Sequence, residues 1–136
     1  MTLCDTGPLV ALFVQNDQHH AASHQILQTQ VTLPLLTTWL CVAEVMHFLG
    51  RAIGPAAQDD FWEWVAQGIV LIHPPGADDW TRMRELMARY AGLPMAVADA
   101  SLVVAAEQTR MRRVFTFDRH FRTYLINDRD PFDVVP

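Results

Sequence analysis

The sequence predicts an α/β domain built on a mostly parallel sheet. Short apolar runs of strand length alternate along the chain with longer segments whose apolar residues recur at helical spacing. Capping and turn residues fall between them. A length of 136 residues suits one domain, spanning 1–136. With 51% hydrophobic and 18% charged residues, the chain has the composition of a packed core and not of a disordered segment.

The elements follow in order. Leu3 to Asp5 forms a short strand. Pro8 suits the first turn of the next helix, to which Leu9, Leu12 and Phe13 give an apolar stripe. A second helix runs from about His19 to Gln30. Leu35 to Thr38 is a strand, and Thr37 or Thr38 caps a helix reaching about Ala52. Pro55 opens a helix carrying Phe61, Trp62 and Val65, and Ile69 to Ile72 is a strand. Asp78 or Asp79 caps a helix with Trp80, Met83, Met87 and Tyr90 on one face, closed by Gly92 and Pro94. Met95 to Arg110 is a helix, Val114 to Thr116 a strand, and Asp133 to Val135 a last short strand. Ligands of such sheets sit at the carboxyl ends of the strands.

Composition excludes several mechanisms. All ten basic residues are Arg, so chemistry that needs a lysine is ruled out: a P-loop, a Schiff base, a lysine-assisted phosphoryl transfer. Fifteen acids give a formal charge of −5, which by itself speaks against a polyanionic ligand. The first residues, Met1-Thr-Leu-Cys-Asp5, have no basic n-region and no long apolar stretch, and no apolar run reaches membrane-spanning length. Cys4 and Cys41 sit in apolar runs and read as reduced core residues. A cytoplasmic protein is expected, without membrane contact.

Four acids occupy surroundings that do not suit charge. Asp5 ends a strand. Glu44 lies in Trp39-Leu-Cys-Val-Ala-Glu-Val-Met-His-Phe-Leu49, and Asp99 in Met95-Ala-Val-Ala-Asp-Ala-Ser-Leu-Val-Val-Ala-Ala106. Asp118 follows Val114-Phe-Thr-Phe117. An ionised carboxylate in an apolar setting is costly unless it is paired or binds a cation. Each acid alone has an ordinary reading: Asp5 and Asp118 as caps, Glu44 paired with Arg51, Asp99 paired with some Arg. Taken together, two strand ends and the helix leading into the second strand can bring all four to one end of the sheet. Two unit charges about 5 Å apart then repel by roughly 3 kcal/mol at an effective dielectric near 20. Such a cluster needs cations or raised pKa values. Hard divalent cations with oxygen ligands fit, Mg2+ first and Mn2+ as a substitute; zinc is disfavoured by the shortage of Cys and His ligands.

With these residues in view, the chain resembles PIN-domain ribonucleases, and among them the VapC-type toxins of toxin–antitoxin pairs. The resemblance spans essentially the whole chain. It rests on Asp5-Thr-Gly-Pro-Leu-Val-Ala-Leu, Asp17-Gln-His-His-Ala-Ala, Thr38 through Val45, Asp99-Ala-Ser-Leu-Val, Phe115-Thr-Phe-Asp-Arg-His-Phe121 and Pro131-Phe-Asp-Val-Val-Pro. It implies a three-layer α/β/α sandwich around a mostly parallel four- to five-stranded sheet. It also implies metal-dependent hydrolysis of RNA phosphodiester bonds, with the acidic quartet on Asp5, Glu44, Asp99 and Asp118. Asp5 and Asp99 fall on the direct metal positions, Thr6 and Thr116 on supporting ones. Glu44 or Asp118 would help deprotonate the nucleophile. Some relatives carry a further acid one turn before the Asp99 position, where this chain has Met95 and Ala96. The resemblance further implies a VapB-like antitoxin partner and a homodimer.

Other features carry two readings each. Six Arg lie between Arg110 and Arg129, around the segment of Asp118, and serve either as ordinary surface or as phosphate contacts; Arg119 and Arg122 are the RNA-binding candidates. His47, three residues after Glu44, is either structural or, at the pocket edge, an RNA-binding candidate beside Arg119 and Arg122. His20 and His24 read as exposed helix residues in preference to a metal pair. Phe61, Trp62 and Trp64 are too many aromatics for one buried face, which leaves some for a partner surface. Three alternatives stand beside the toxin: a PIN nuclease of RNA maturation, a non-catalytic binding domain, and an aspartic protease suggested by Asp5-Thr6-Gly7.

Overall fold

The computed structural model describes residues 1–136. Five strands form one sheet: β1 (Thr2–Cys4), β2 (Leu35–Thr38), β3 (Val70–His73), β4 (Arg113–Phe115) and β7 (Asp133–Val135). Their spatial order is β3-β2-β1-β4-β7, and every pairing is parallel. Six helices connect them: α1 (Thr6–Phe13), α2 (His20–Thr29), α3 (Trp39–Ala52), α4 (Pro55–Ala66), α5 (Asp79–Arg89) and α6 (Val97–Thr109). No helix is long and apolar enough to cross a membrane.

Strand alternation splits the interior into two cores. Leu3, Leu36 and Val114 point to one face, where they meet α5 and α6; Cys4, Leu35 and Phe115 point to the other, where α1 to α4 pack. This is the parallel sheet that the alternating pattern predicts, set in the α/β/α sandwich that the resemblance implies. Cys4 and Cys41 are buried and unbonded. The most enclosed helix is α6, whose residues Ala98 and Ala100 to Ala106 are all buried. A helix apolar all round must be covered all round, and α5, β2, α3 and the short strand Leu125–Ile126 surround it.

Several boundaries differ from expectation. β1 stops at Cys4, which leaves Asp5 just past its end as the cap of α1. Thr38, not Thr37, caps α3, its hydroxyl accepting from the Cys41 N–H at 3.3 Å. α6 starts at Val97, not Met95; the Asp99 carboxylate accepts from the Ala96 N–H at 3.1 Å and fixes that start. A 3-10 turn (Arg119–Arg122) and a small antiparallel hairpin, β5 (Leu125–Ile126) with β6 (Asp130–Pro131), were not expected. They bring Phe121, Tyr124 and Ile126 into the core beside α6.

Candidate active site

The carboxyl ends of β1 and β4 lie side by side, so Asp5 and the Thr116–Asp118 segment emerge as neighbours. Asp5 is 7% exposed. One of its oxygens, Oδ1, accepts from the Thr6 N–H at 2.8 Å, and Oδ2 accepts from the Thr116 hydroxyl at 2.8 Å. Burial pushes its pKa from 3.8 up to about 6 against the pull of those hydrogen bonds, and the charges of Asp99 and Asp118 add to the rise.

Two threonines join three of the acids. Thr6, whose N–H binds Asp5, also donates its hydroxyl to Glu44 Oε1 at 2.7 Å. Thr116, whose hydroxyl binds Asp5, accepts from the Asp118 N–H at 3.0 Å. Asp118 Oδ1 in turn accepts from the His120 N–H at 2.9 Å and caps the 3-10 turn. Asp99 occupies the first turn of α6, where the helix dipole favours an anion. Its Oδ2 accepts from the Ala96 N–H and from the Tyr124 hydroxyl, the latter at 3.3 Å. Burial raises the Asp99 pKa, with Asp118 and Glu44 contributing. The Tyr124 hydroxyl is itself held protonated by burial and by these carboxylates.

Asp5, Glu44 and Asp99 line one cleft of about 400 Å³ together with Thr6, Asp17 and His19. Phe117 lines this cleft and also a smaller adjoining pocket of about 160 Å³, which holds Thr116, Asp118, Arg119 and Arg122. The hydrogen bonds described leave Glu44 Oε2, Asp99 Oδ1 and Asp118 Oδ2 without a protein donor. No three His, Cys, Asp or Glu side chains come close enough to form a metal cage. An all-oxygen set without a cage fits Mg2+, which keeps several waters and takes one or two carboxylates. It does not fit zinc, whose structural sites need four converging ligands.

The expected ion pairs of these acids do not form. Glu44 binds Thr6, not Arg51, and Asp99 binds no Arg. The arginine cluster divides. Arg119 and Arg122 flank Asp118, and Arg122 also donates to the Pro136 carbonyl at 2.8 Å. Arg112 and Arg113 lie at the opposite end of β4; Arg112 binds the Pro131 carbonyl and Arg113 binds Gln30 and Asp133. They do not surround the site. His47 is exposed, packs edge-on against Phe48, and stays off the cleft. His20 and His24 are half-buried, with ring nitrogens 2.7 and 3.0 Å from the Ala11 and Leu12 carbonyls at the end of α1. Phe61 is core, while Trp62 is exposed and faces Trp39 across 6.3 Å. Asp5-Thr6-Gly7 opens a helix beneath a parallel sheet, which removes the protease reading.

Two residues beside the acids, one lining the cleft and one outside it, carried no readable sequence signal as site residues. His19 stacks on Phe117 inside the cleft, and Tyr124 reaches Asp99 from the unexpected hairpin region.

No family model matches the chain. Over 135 residues it is 25% identical to Ribonuclease VapC26 of Mycobacterium tuberculosis, covering 98% of this chain and 99% of that one. Its fold matches the crystal structure of Mycobacterium tuberculosis VapC20, a Sarcin-Ricin loop cleaving toxin, with a TM-score of 0.83. That match has 18% identity and covers 96% of this chain and 100% of the other.

Proposed function

We propose that this chain, similar to VapC ribonucleases in sequence and in fold along its whole length, is a metal-dependent endoribonuclease. It hydrolyses RNA phosphodiester bonds as the toxin of a VapBC-type pair. The observation that carries this reading is the arrangement of Asp5, Glu44 and Asp118 around two bridging threonines, with Asp99 at the same cleft. No Arg pairs with these acids, and the one ring nitrogen near them is His120 Nδ1, 3.4 Å from Asp118 Oδ1, so a cation is their natural partner.

Asp5 and Asp99 would hold Mg2+, or Mn2+ in its place, with Glu44 and Asp118 reaching it through water, since no three of these side chains converge closely enough to form a cage. When bound, the cation supplies Lewis-acid activation of water and neutralisation of charge on the scissile phosphate. Thr6 and Thr116 keep Asp5 in position while sharing its two oxygens. Glu44 through Oε2, or Asp118 through Oδ2, accepts the proton of the attacking water. Arg119 and Arg122 contact backbone phosphates beside Asp118. The basic segment of a cognate antitoxin is drawn to the same four acids. A homodimer in the cytoplasm is the expected setting.

The test is induced expression followed by sequencing of cleaved RNA ends, beside an Asp5→Asn control. Discrete cleavage sites and growth arrest are expected for the unaltered chain only. Equal cleavage by the Asp5→Asn chain would overturn the site assignment.

A further inference from the structure

The cleft that holds the acids has no cation of its own. No Arg lines it; Asp5, Asp17, Glu44 and Asp99 do. Apart from a bound cation, the cleft wall can therefore add affinity for RNA only by means other than charge. Part of the wall supplies one. The His19 imidazole lies face to face on the Phe117 ring, centroids 4.0 Å apart and planes 11° from parallel. Phe117 is braced from behind by Phe115, edge-on at 5.9 Å.

His19 is placed by its neighbours and not by its own ring. The Asp17 carboxylate accepts from the His19 N–H at 2.8 Å, and His20 and His24 tie the start of α2 to the carbonyls of α1. The His19 ring forms no hydrogen bond and stays half-exposed at the cleft. One face is taken by Phe117. Phe117 also lines the adjoining pocket, where Arg119 and Arg122 lie.

We infer that His19, backed by Phe117, is a stacking platform for one unpaired nucleobase of the RNA, next to the phosphate that is cut. This rests on the ribonuclease reading and deepens it. Single-stranded RNA is held by stacking its bases on aromatic faces, histidine included. Such contacts tolerate every base, because each has a π-face. The platform therefore positions the strand more than it selects sequence. Arg119 and Arg122 take the backbone in the adjoining pocket while the base lies over His19.

The experiment uses the purified chain with Mg2+ and a single-stranded RNA oligonucleotide in which one abasic nucleotide is stepped across the cleavage position. His19→Ala is expected to raise KM by roughly 5- to 150-fold, the range of base-on-aromatic stacking, with kcat little changed and thermal unfolding matched. His19→Phe restores KM. One abasic position costs the unaltered chain the same factor and costs the His19→Ala chain nothing further. An unmoved KM, losses that multiply at every position, or no rescue by His19→Phe each overturn the platform. So does a His19→Ala chain that loses antitoxin affinity but not RNA affinity, because the ring then serves a protein side chain. Cleavage by the unaltered chain, none by the Asp5→Asn chain and an unmoved KM for the His19→Ala chain refute stacking alone. RNA that is neither bound nor cleaved refutes the ribonuclease reading and this one with it.

Discussion

Asp5→Asn should make the metal-free fold more stable while ending its activity. The folded carboxyl keeps its proton up to about pH 6, whereas the unfolded one loses it near 3.8. Folding therefore takes up a proton between those values, and stability falls as pH rises through that window. At about 1.36 kcal/mol for each factor of ten, ionised Asp5 costs the fold about 3 kcal/mol at pH 7.5, near half that at pH 5, and little at pH 4. Asparagine carries no such cost. It keeps one acceptor for the Thr6 N–H but disturbs the Thr116 hydrogen bond, a loss of about 1 kcal/mol. The net expectation is a gain of about 2 kcal/mol at pH 7.5 that vanishes at about pH 4.5 and becomes a loss approaching about 1 kcal/mol below it. Urea unfolding with a chelator present, run on both chains from pH 4 to 8, measures it. Adding Mg2+ then stabilises the unaltered chain and not the variant. A variant less stable at pH 7.5, or a difference independent of pH, would refute the reasoning that burial dominates the Asp5 environment.

Three further outcomes are expected. Tyr124→Phe removes the hydroxyl that donates to Asp99; the Mg2+ concentration for half-maximal cleavage should rise at least tenfold, as for other outer partners of metal ligands. Arg119→Ala and Arg122→Ala should each weaken RNA binding and reduce the slope of log affinity against log salt by about 0.7, the single-strand value per phosphate contact. His20→Ala with His24→Ala should cost about 1 kcal/mol per lost hydrogen bond in unfolding experiments, with KM for RNA unchanged, because these rings bind α1 and not the cleft.

What the sequence made legible was whatever local pattern controls. α6 is apolar on every side, so its burial and the oddity of Asp99 within it are readable without coordinates. The same holds for Glu44 in α3 and for Asp5 and Asp118 at strand ends. What stayed hidden depends on packing. Arg113 and Asp118 are close in sequence, yet five extended residues span about 16 Å, enough to put them at opposite ends of the sheet. Reading the arginines as one cluster ignored that direction. β5 and β6 have two residues each, too few to show a period, so the segment that delivers Tyr124 gave no signal. His20 and His24 share a helix face by their spacing, but only the docking of α2 on α1 decides that this face meets carbonyls.

The charge balance follows from the same geometry. Acids gather where β1 and β4 end, while Arg112 and Arg113 are spent on carbonyls and on Asp133 at the other end. Under the proposed function, such a cleft would repel RNA until a cation enters it. Burial that raises the Asp5 pKa also lowers the local dielectric, and a divalent cation there interacts more strongly than it would in water. Under the proposed function, metal binding would recover the cost that ionised Asp5 imposes on the fold, and would so link cleavage to the metal through the stability of the site. Beside the acids, His19 and Phe117 present a stacked aromatic face, which under the proposed reading would hold a base next to the cation.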